Sequence, residues 1–297
     1  MNIQVKLNTL QWESKHFYPP PFCFVYKKTT SPLEKKSPYI CTYTPSLLFP
    51  IPREKKRKEI NVPNPIPFHG ADIWNAFELS WLNSKGKPQV FIGTFCIPCT
   101  SEFIVESKSF KLYLNSLNQS HFSSNQEVKD LLKKDLENCV KTPIQIDFFS
   151  LKESEQFKIT EFEGYCIDEL DLQTNIYHVN PDLLQANNKN IVEERLYSNL
   201  LKSNCLVTKQ ADWASLFIHY RGPQICHYSL LKYIISFRNH NEFHEQCIER
   251  IFMDLLKQCD PEKLTVYGRY TRRGGLDINP FRSNFSLPPS NIRNPRQ

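Results

Sequence analysis

Apolar residues at Ile73, Phe77, Leu79 and Trp81 alternate with polar or small ones, the period of a half-buried strand. Asn83-Ser84-Lys85-Gly86-Lys87 turns the chain, and Gln89 to Cys96 completes a hairpin. A helix is predicted from Ser107, with Phe110, Leu114 and Leu117 on one side. A second opens on the capping box Ser124-Asn125-Gln126-Glu127 and buries Val128, Leu131, Leu132 and Leu136. Pro143 ends it, and Ile144, Ile146 and Phe148 read as another strand.

The same order returns later. Trp213 to Tyr220 alternates as a strand, Arg221-Gly222-Pro223 is read as a turn, and Ser229 to Phe237 is an apolar helix. From Glu242 to Gln258 a helix places Phe243, Cys247, Ile248, Ile251, Phe252 and Leu255 on one face. Pro261 closes it, and a strand runs from Leu264 through Val266 and Gly268 to Tyr270. The fold class expected is α+β: two related domains, each an antiparallel sheet with two helices on one face. The acidic stretch Glu161 to Asp171 and the polar Asn187-Asn188-Lys189-Asn190 fall between them.

Residues 1–68 are different, holding eleven of the 21 prolines and the charged run Arg53 to Glu59. They read as an extended arm, disordered at its start, with the charged run as a solvated loop. The net charge of +6 over 297 residues is mild and dispersed. It suits an anionic ligand and argues against direct nucleic-acid binding. With no apolar core after Met1-Asn2-Ile3-Gln4-Val5-Lys6 and no apolar run of membrane length, a cytoplasmic protein with no membrane partner is expected. The ten cysteines then stay reduced. Cys96-Ile97-Pro98-Cys99 lacks both a following helix and a second pair, so buried or loop thiols are favoured over a redox or zinc role.

Four segments could carry chemistry. Cys205 and Asp212 lie seven residues apart among turn formers, and a thiol beside a carboxyl can supply a nucleophile and a proton donor. The donor role requires an apolar setting that raises the carboxyl's pKa, for which Trp213 is a candidate; a packed thiol and a solvated carboxylate are the plain alternatives. Glu106-Ser107-Lys108-Ser109 starts a helix whose serines could cap it and whose free N–H groups, with Lys108 and Lys111, could attract a phosphate. His240 and His244 have metal-ligand spacing without a third ligand, so no metal is assigned. Glu245 suits a helix dipole or, facing a pocket, a guanine-type edge. Arg272-Arg273-Gly274-Gly275 is a phosphate clamp or a tight turn. Eight glycines and no Gly-rich fingerprint exclude a Rossmann cofactor site.

Val105-Glu106-Ser107-Lys108-Ser109-Phe110-Lys111-Leu112-Tyr113, Ser203-Asn204-Cys205 with Asp212-Trp213, Phe243-His244-Glu245-Gln246 and Arg272-Arg273-Gly274-Gly275-Leu276-Asp277 occur in that order. Together they resemble the NADPH-dependent 7-cyano-7-deazaguanine reductases, the nitrile reductases QueF of queuosine biosynthesis, in their long two-domain form. The resemblance covers about Ser46 to Arg282.

The resemblance implies tandem tunnelling-fold (T-fold) domains, set at 69–165 and 201–297 with 166–200 connecting them, and a homodimer. It implies Cys205 as thioimide nucleophile and Asp212 as proton donor. Val105, Glu106, Ser107, His244 and Glu245 are implied as substrate contacts, and Ser107, Lys108, Arg273 and Gly274 as contacts to NADPH. A GTP cyclohydrolase-like enzyme of the same fold is the alternative.

Overall fold

Both repeats form, and their strands merge into one sheet. The structure is a computed structural model that describes residues 40, 42–288 and 290–297, with side chains described outside 154–156. The disordered start expected for the arm lies outside the described residues. The first repeat comprises β1 (Pro50–Pro52), α1 (Arg53–Glu59), β2 (His69–Asn83), β3 (Pro88–Pro98), β4 (Phe103–Val105), α2 (Ser107–Ser116), β5 (His121–Phe122), α3 (Asn125–Val140) and β6 (Gln145–Phe149). The second comprises β7 (Tyr165–Cys166), β8 (Ala186–Asn204), β9 (Ala211–Ile225), α4 (His227–Ser236), α5 (His244–Cys259), β10 (Lys263–Tyr270) and β11 (Leu276–Ser283).

The nine-stranded sheet runs β6-β3-β2-β11-β10-β9-β8-β7, with β5 beside β2. Its seam is the antiparallel pair β2–β11, from Leu276 opposite Ala76 to Ser283 opposite His69. The two T-fold units therefore share one sheet. On one face, Phe110, Leu132 and Leu136 of α2 and α3 pack with Trp74, Phe95 and Ile146. Beside them Leu231, Ile248 and Phe252 of α4 and α5 pack with Leu216, Ile218 and Val266. Val128, Leu132, Leu136 and Val140 of α3 are fully buried, each contributing about 1.5–3 kcal/mol of apolar burial. Ser124 caps this helix through the Glu127 amide, and Lys141 ends it in the left-handed conformation.

Four expectations change. Phe77 does not share a face with Leu79 and Trp81, because a bulge between Ala76 and Leu79 inserts an extra residue and flips the side chains that precede it. Trp74, Ala76, Leu79 and Trp81 consequently face the helices, while Ile73 joins Phe162, Tyr267 and Phe281 on the other side. Arg221-Gly222-Pro223 is not a turn but part of β9, opposite Ile191 to Glu193 of β8. Gly222 is needed there because a Cβ would lie 2.7 Å from the Pro261 Cα. Residues 166–200 are not merely a connection, since β8 begins at Ala186. Finally, Arg53–Glu59 is a helix rather than a loop, its Arg53 buried.

Candidate active site

The β8–β9 hairpin sets the spacing of Cys205 and Asp212. Asn204 pairs with Ala211 and Ser203 with Asp212, so residues 205–210 are the connecting turn. The Cys205 N–H donates to the Gln210 carbonyl at 2.8 Å, and the Lys209 N–H to the Cys205 carbonyl at 3.0 Å. The start of the α5 segment is laced to this turn: Asn204 N–H donates to the His240 carbonyl at 2.7 Å, and Glu242 N–H to the Asn204 carbonyl at 3.1 Å. Cys205 is thereby held against the loop that leads into α5, whose first turn carries His244 and Glu245.

Two further pieces complete the cavity. Glu106 N-caps α2, its carboxylate accepting from the Lys108 and Ser109 amides at 3.0 and 2.7 Å. The expected serine cap is thus replaced by Glu106, which occupies N–H groups that a phosphate would otherwise find free. β1 pairs with β4 and fixes this segment from behind. The other piece is the β10–β11 turn, where Gly274 and Gly275 have φ of 58° and 79°, as a tight hairpin requires. At Gly274 a Cβ would also lie 2.7 Å from the Lys111 Nζ, whose ammonium donates to the Gly274 carbonyl at 2.5 Å.

One cavity of about 430 Å³ is lined by Val105, Glu106, Ser107, Lys108, Cys205, Asp212, His244, Glu245, Arg273 and Gly274. All ten residues singled out in the sequence therefore meet in one place. The sequence reading missed Thr208, Gln210 and Glu242 and set Phe243 on the packed face of the helix; all four also line the cavity. The first two lie between Cys205 and Asp212, where a reversal of the chain had to place polar groups at the mouth.

Among the described cysteines, Cys205 is the one whose pKa is shifted downward. Burial acts to raise its pKa, but hydrogen bonds from the Thr208 hydroxyl and from the Thr208 and Val207 amides outweigh this and lower it. The Thr208 N–H lies 3.5 Å from Sγ. Six other cysteines shift upward through burial: Cys96, Cys139 and Cys259 to about 11, Cys247 to about 12, and Cys99 and Cys166 by direction alone. Cys96 and Cys99 lie outside the cavity, as buried or half-buried thiols. Limited alkylation with iodoacetamide near pH 7.5 is expected to label Cys205 before any of these six, as peptide mapping would read.

Asp212 departs from expectation. It is only 2% exposed, and burial raises its pKa, yet His244 and Arg273 together lower it below the ordinary carboxylate value. His244 Nε2 is 3.3 Å from Oδ2, and Arg273 Nη1 donates to Oδ1. Trp213 does not decide the matter; charge pairing does. Arg273 also donates to Gln210 Oε1 at 2.7 Å. The His244 ring stacks on Tyr270 at 3.8 Å and an interplanar angle of 4°. Its Nδ1 is buried without a hydrogen-bond partner, an orphan that a bound ligand could satisfy.

Glu245 is buried, and its pKa is pushed up to about 8, first by burial and then by Asp72. His240 bonds Glu242 at 2.9 Å rather than pairing with His244. Ser107, Lys108, Lys111 and Arg273 give the cavity hydroxyl, ammonium and guanidinium groups, which fit a phosphate-bearing cofactor.

Residues 39–148 match the family described as nitrile reductase, 7-cyano-7-deazaguanine-reductase N-term, and residues 211–288 match QueF-like protein. The NADPH-dependent 7-cyano-7-deazaguanine reductase of Ralstonia nicotianae is 55% identical over 271 residues, covering 90% of this chain and 98% of its own. Enzymes of the same name from Burkholderia cenocepacia and Cupriavidus pinatubonensis are 54% and 55% identical, at the same coverage. Among solved structures, the apo form of the archaeosine synthase QueF-Like is similar over 33% of this chain and 96% of its own. Its identity is 17% and its TM-score 0.29, a level that leaves the fold to be read from the strand order itself. The chain belongs to the NADPH-dependent 7-cyano-7-deazaguanine reductase family.

Proposed function

We propose that this protein reduces the nitrile of 7-cyano-7-deazaguanine to a primary amine with two NADPH, through a covalent thioimide on Cys205, for queuosine modification of tRNA. The observation that carries this is the meeting, in one cavity, of the down-shifted Cys205 thiol with Asp212, His244, Glu245 and the cationic Lys108 and Arg273. A nitrile carbon is a poor hydride acceptor, and thiolate addition makes it a better one while tethering it. The S–C bond forms as one C≡N π bond breaks, and the nitrogen takes a proton.

In this reading Asp212 delivers that proton. As the free protein holds it as a carboxylate, it must first be protonated, and His244, whose Nε2 lies 3.3 Å from Oδ2, is the group placed to hand it a proton. Glu245 accepts from the ring and amino N–H groups of the base, with His244 Nδ1 as a further partner and Val105, Glu106 and Ser107 around the ring. Ser107, Lys108, Arg273 and Gly274 would hold NADPH, which supplies hydride when bound. After the first reduction the S–C bond breaks and Cys205 leaves an imine, which the second hydride converts to the aminomethyl product. A homodimer in the cytoplasm is the assembly and location that family likeness supports. Among the described residues no helix is long and apolar enough to cross a membrane. The family assignment displaces the GTP cyclohydrolase-like alternative.

The direct experiment is NADPH oxidation on adding 7-cyano-7-deazaguanine, expected at two equivalents per nitrile; absence of oxidation would contradict the proposal. Arg273 carries a separate expectation. Arg273→Ala should raise the KM for NADPH by roughly 10- to 100-fold. It should also move upward the limb on which activity falls with rising pH, which a proton donor governs, because one of the two groups lowering the Asp212 pKa is gone. Steady-state kinetics between pH 5 and 9 would read both effects.

A further inference from the structure

Beneath the Glu245 end of α5 lies a charge cluster that the chemistry above does not use. Arg53 of α1, Asp72 of β2, Glu249 of α5 and Arg282 of β11 are each at most 2% exposed. Arg282 Nη2 donates to Asp72 Oδ1 at 2.8 Å and to Glu249 Oε1 at 2.9 Å. Arg53 Nη2 donates to Asp72 Oδ2 at 2.5 Å. Arg57 of α1 grips Glu249 from outside with Nε and Nη2, at 2.8 and 2.7 Å.

The charges do not balance. Counting Arg57, which is 15% exposed at the outer side, three guanidiniums face two carboxylates, so the cluster carries a net positive charge. Arg53 Nη1 makes no hydrogen bond, its ion-pair partner Glu249 Oε1 lying 3.8 Å away. A net positive charge next to a buried carboxyl favours that carboxyl's ionised form. Glu245 precedes Glu249 by one helical turn and is itself 2% exposed. It forms no ion pair among the described residues.

We propose that Arg53, supported by Arg57 and Arg282, is the counter-charge that allows Glu245 to be ionised when it reads the base. Arg53 is thus a positioning residue that sets affinity for a guanine-type edge. This rests on the assignment of Glu245 as the base acceptor. The ring N–H and amino N–H of such an edge need two acceptor oxygens, which a carboxylate has and a carboxylic acid lacks.

The groups that act on Glu245 come from four packed elements: Arg53 from α1, Asp72 from β2, Tyr270 from β10 and Arg282 from β11. Burial and Asp72 push the Glu245 carboxyl up to about 8, while Arg53 and Arg282 pull it down. Arg282 and Arg53 keep Asp72 and Glu249 ionised despite their burial. Binding of the base should then release a proton from Glu245 below that pH. Its affinity should rise about tenfold per pH unit toward pH 8 and level off above it.

The test measures binding of 7-cyano-7-deazaguanine by calorimetry from pH 6 to 8.5, in a Cys205→Ala background so that no covalent step intrudes. Arg53→Gln and Arg57→Gln are expected to move the midpoint of the pH dependence upward, weakening binding at pH 7 by about tenfold. Arg53→Lys, which keeps the charge, should leave the midpoint in place. A purely structural role would lower Tm without moving the midpoint. If Arg53→Gln does not fold, Arg57→Gln, whose side chain is 15% exposed, decides alone. Unmoved midpoints in folded variants overturn the proposal. Glu245→Gln in the same background separates the two ideas. If it binds base as tightly as its parent and with the same pH slope, the assignment of Glu245 as reader is what fails. If it abolishes binding while the arginine variants keep the parental midpoint, only the counter-charge fails.

Discussion

Alanine at Cys205 is expected to lower kcat by about 10⁴-fold or more, because removing a covalent nucleophile removes the reaction path rather than one contact along it. The expectation is specific to this cysteine. Cys205 opens onto the cavity and its pKa is lowered by the Thr208 and Val207 donors, so it holds more thiolate than an ordinary cysteine at the same pH. Cys247 and Cys259 lie in the core with pKa values of about 12 and 11. Cys259→Ala should cost about 1 kcal/mol of stability and leave the rate within about twofold. Serine at 205 does not rescue, since a hydroxyl has no comparable ionised fraction. Base affinity in Cys205→Ala should stay within about threefold of the parent, placing the loss in kcat. Single-turnover kinetics with both variants, read beside thermal melts, checks this.

The second large effect is expected at Glu245. Glu245→Gln replaces two acceptors with one acceptor and one donor, and that donor opposes a donor on the base. The loss should be on the order of 10³-fold in base affinity, about 4 kcal/mol, while NADPH affinity changes by less than about twofold. Equal losses for both ligands would contradict the role. The same substitution has a stability signature whose sign follows from linkage. The folded pKa of Glu245, about 8, is above the ordinary carboxylate value. The folded state therefore holds an extra proton across that window, and stability falls as pH rises through it. Glutamine has no such dependence. The variant should melt higher than the parent at pH 8.5 and close to it at pH 5, a trade of stability for recognition common at active sites.

The helices were legible because their signals are local. The capping box at Ser124 and the four-residue spacing of Val128, Leu132 and Leu136 fix α3 without reference to anything distant. The seam between the repeats was not legible, since nothing near Leu276 says that its partner is Ala76, 200 residues earlier. β8 was missed for another reason. Its first residues, Asn187 to Ile191, are exposed on both faces, so no alternation marks them. At α1 the prolines around the run argued for an extended arm, and the tertiary partners Asp72 and Glu249 override that reading.

At the site, residue types and order were enough to gather ten positions that do share one cavity. Protonation was not readable. The donor role of Asp212 called for an apolar setting, with a solvated carboxylate as the plain alternative, but Arg273, 61 positions away, and His244 settle its charge. Whether a carboxyl is an acid or an anion depends on neighbours that only folding brings together.

The central claim is a covalent bond between Cys205 and the nitrile carbon. Intact-protein mass spectrometry after incubation with 7-cyano-7-deazaguanine, in the absence of NADPH, tests it most directly. One added nitrile per chain is expected, mapping to the Cys205 peptide, absent in Cys205→Ala and lost on adding NADPH. An unmodified protein that still turns over, or an adduct on another cysteine, would contradict the account.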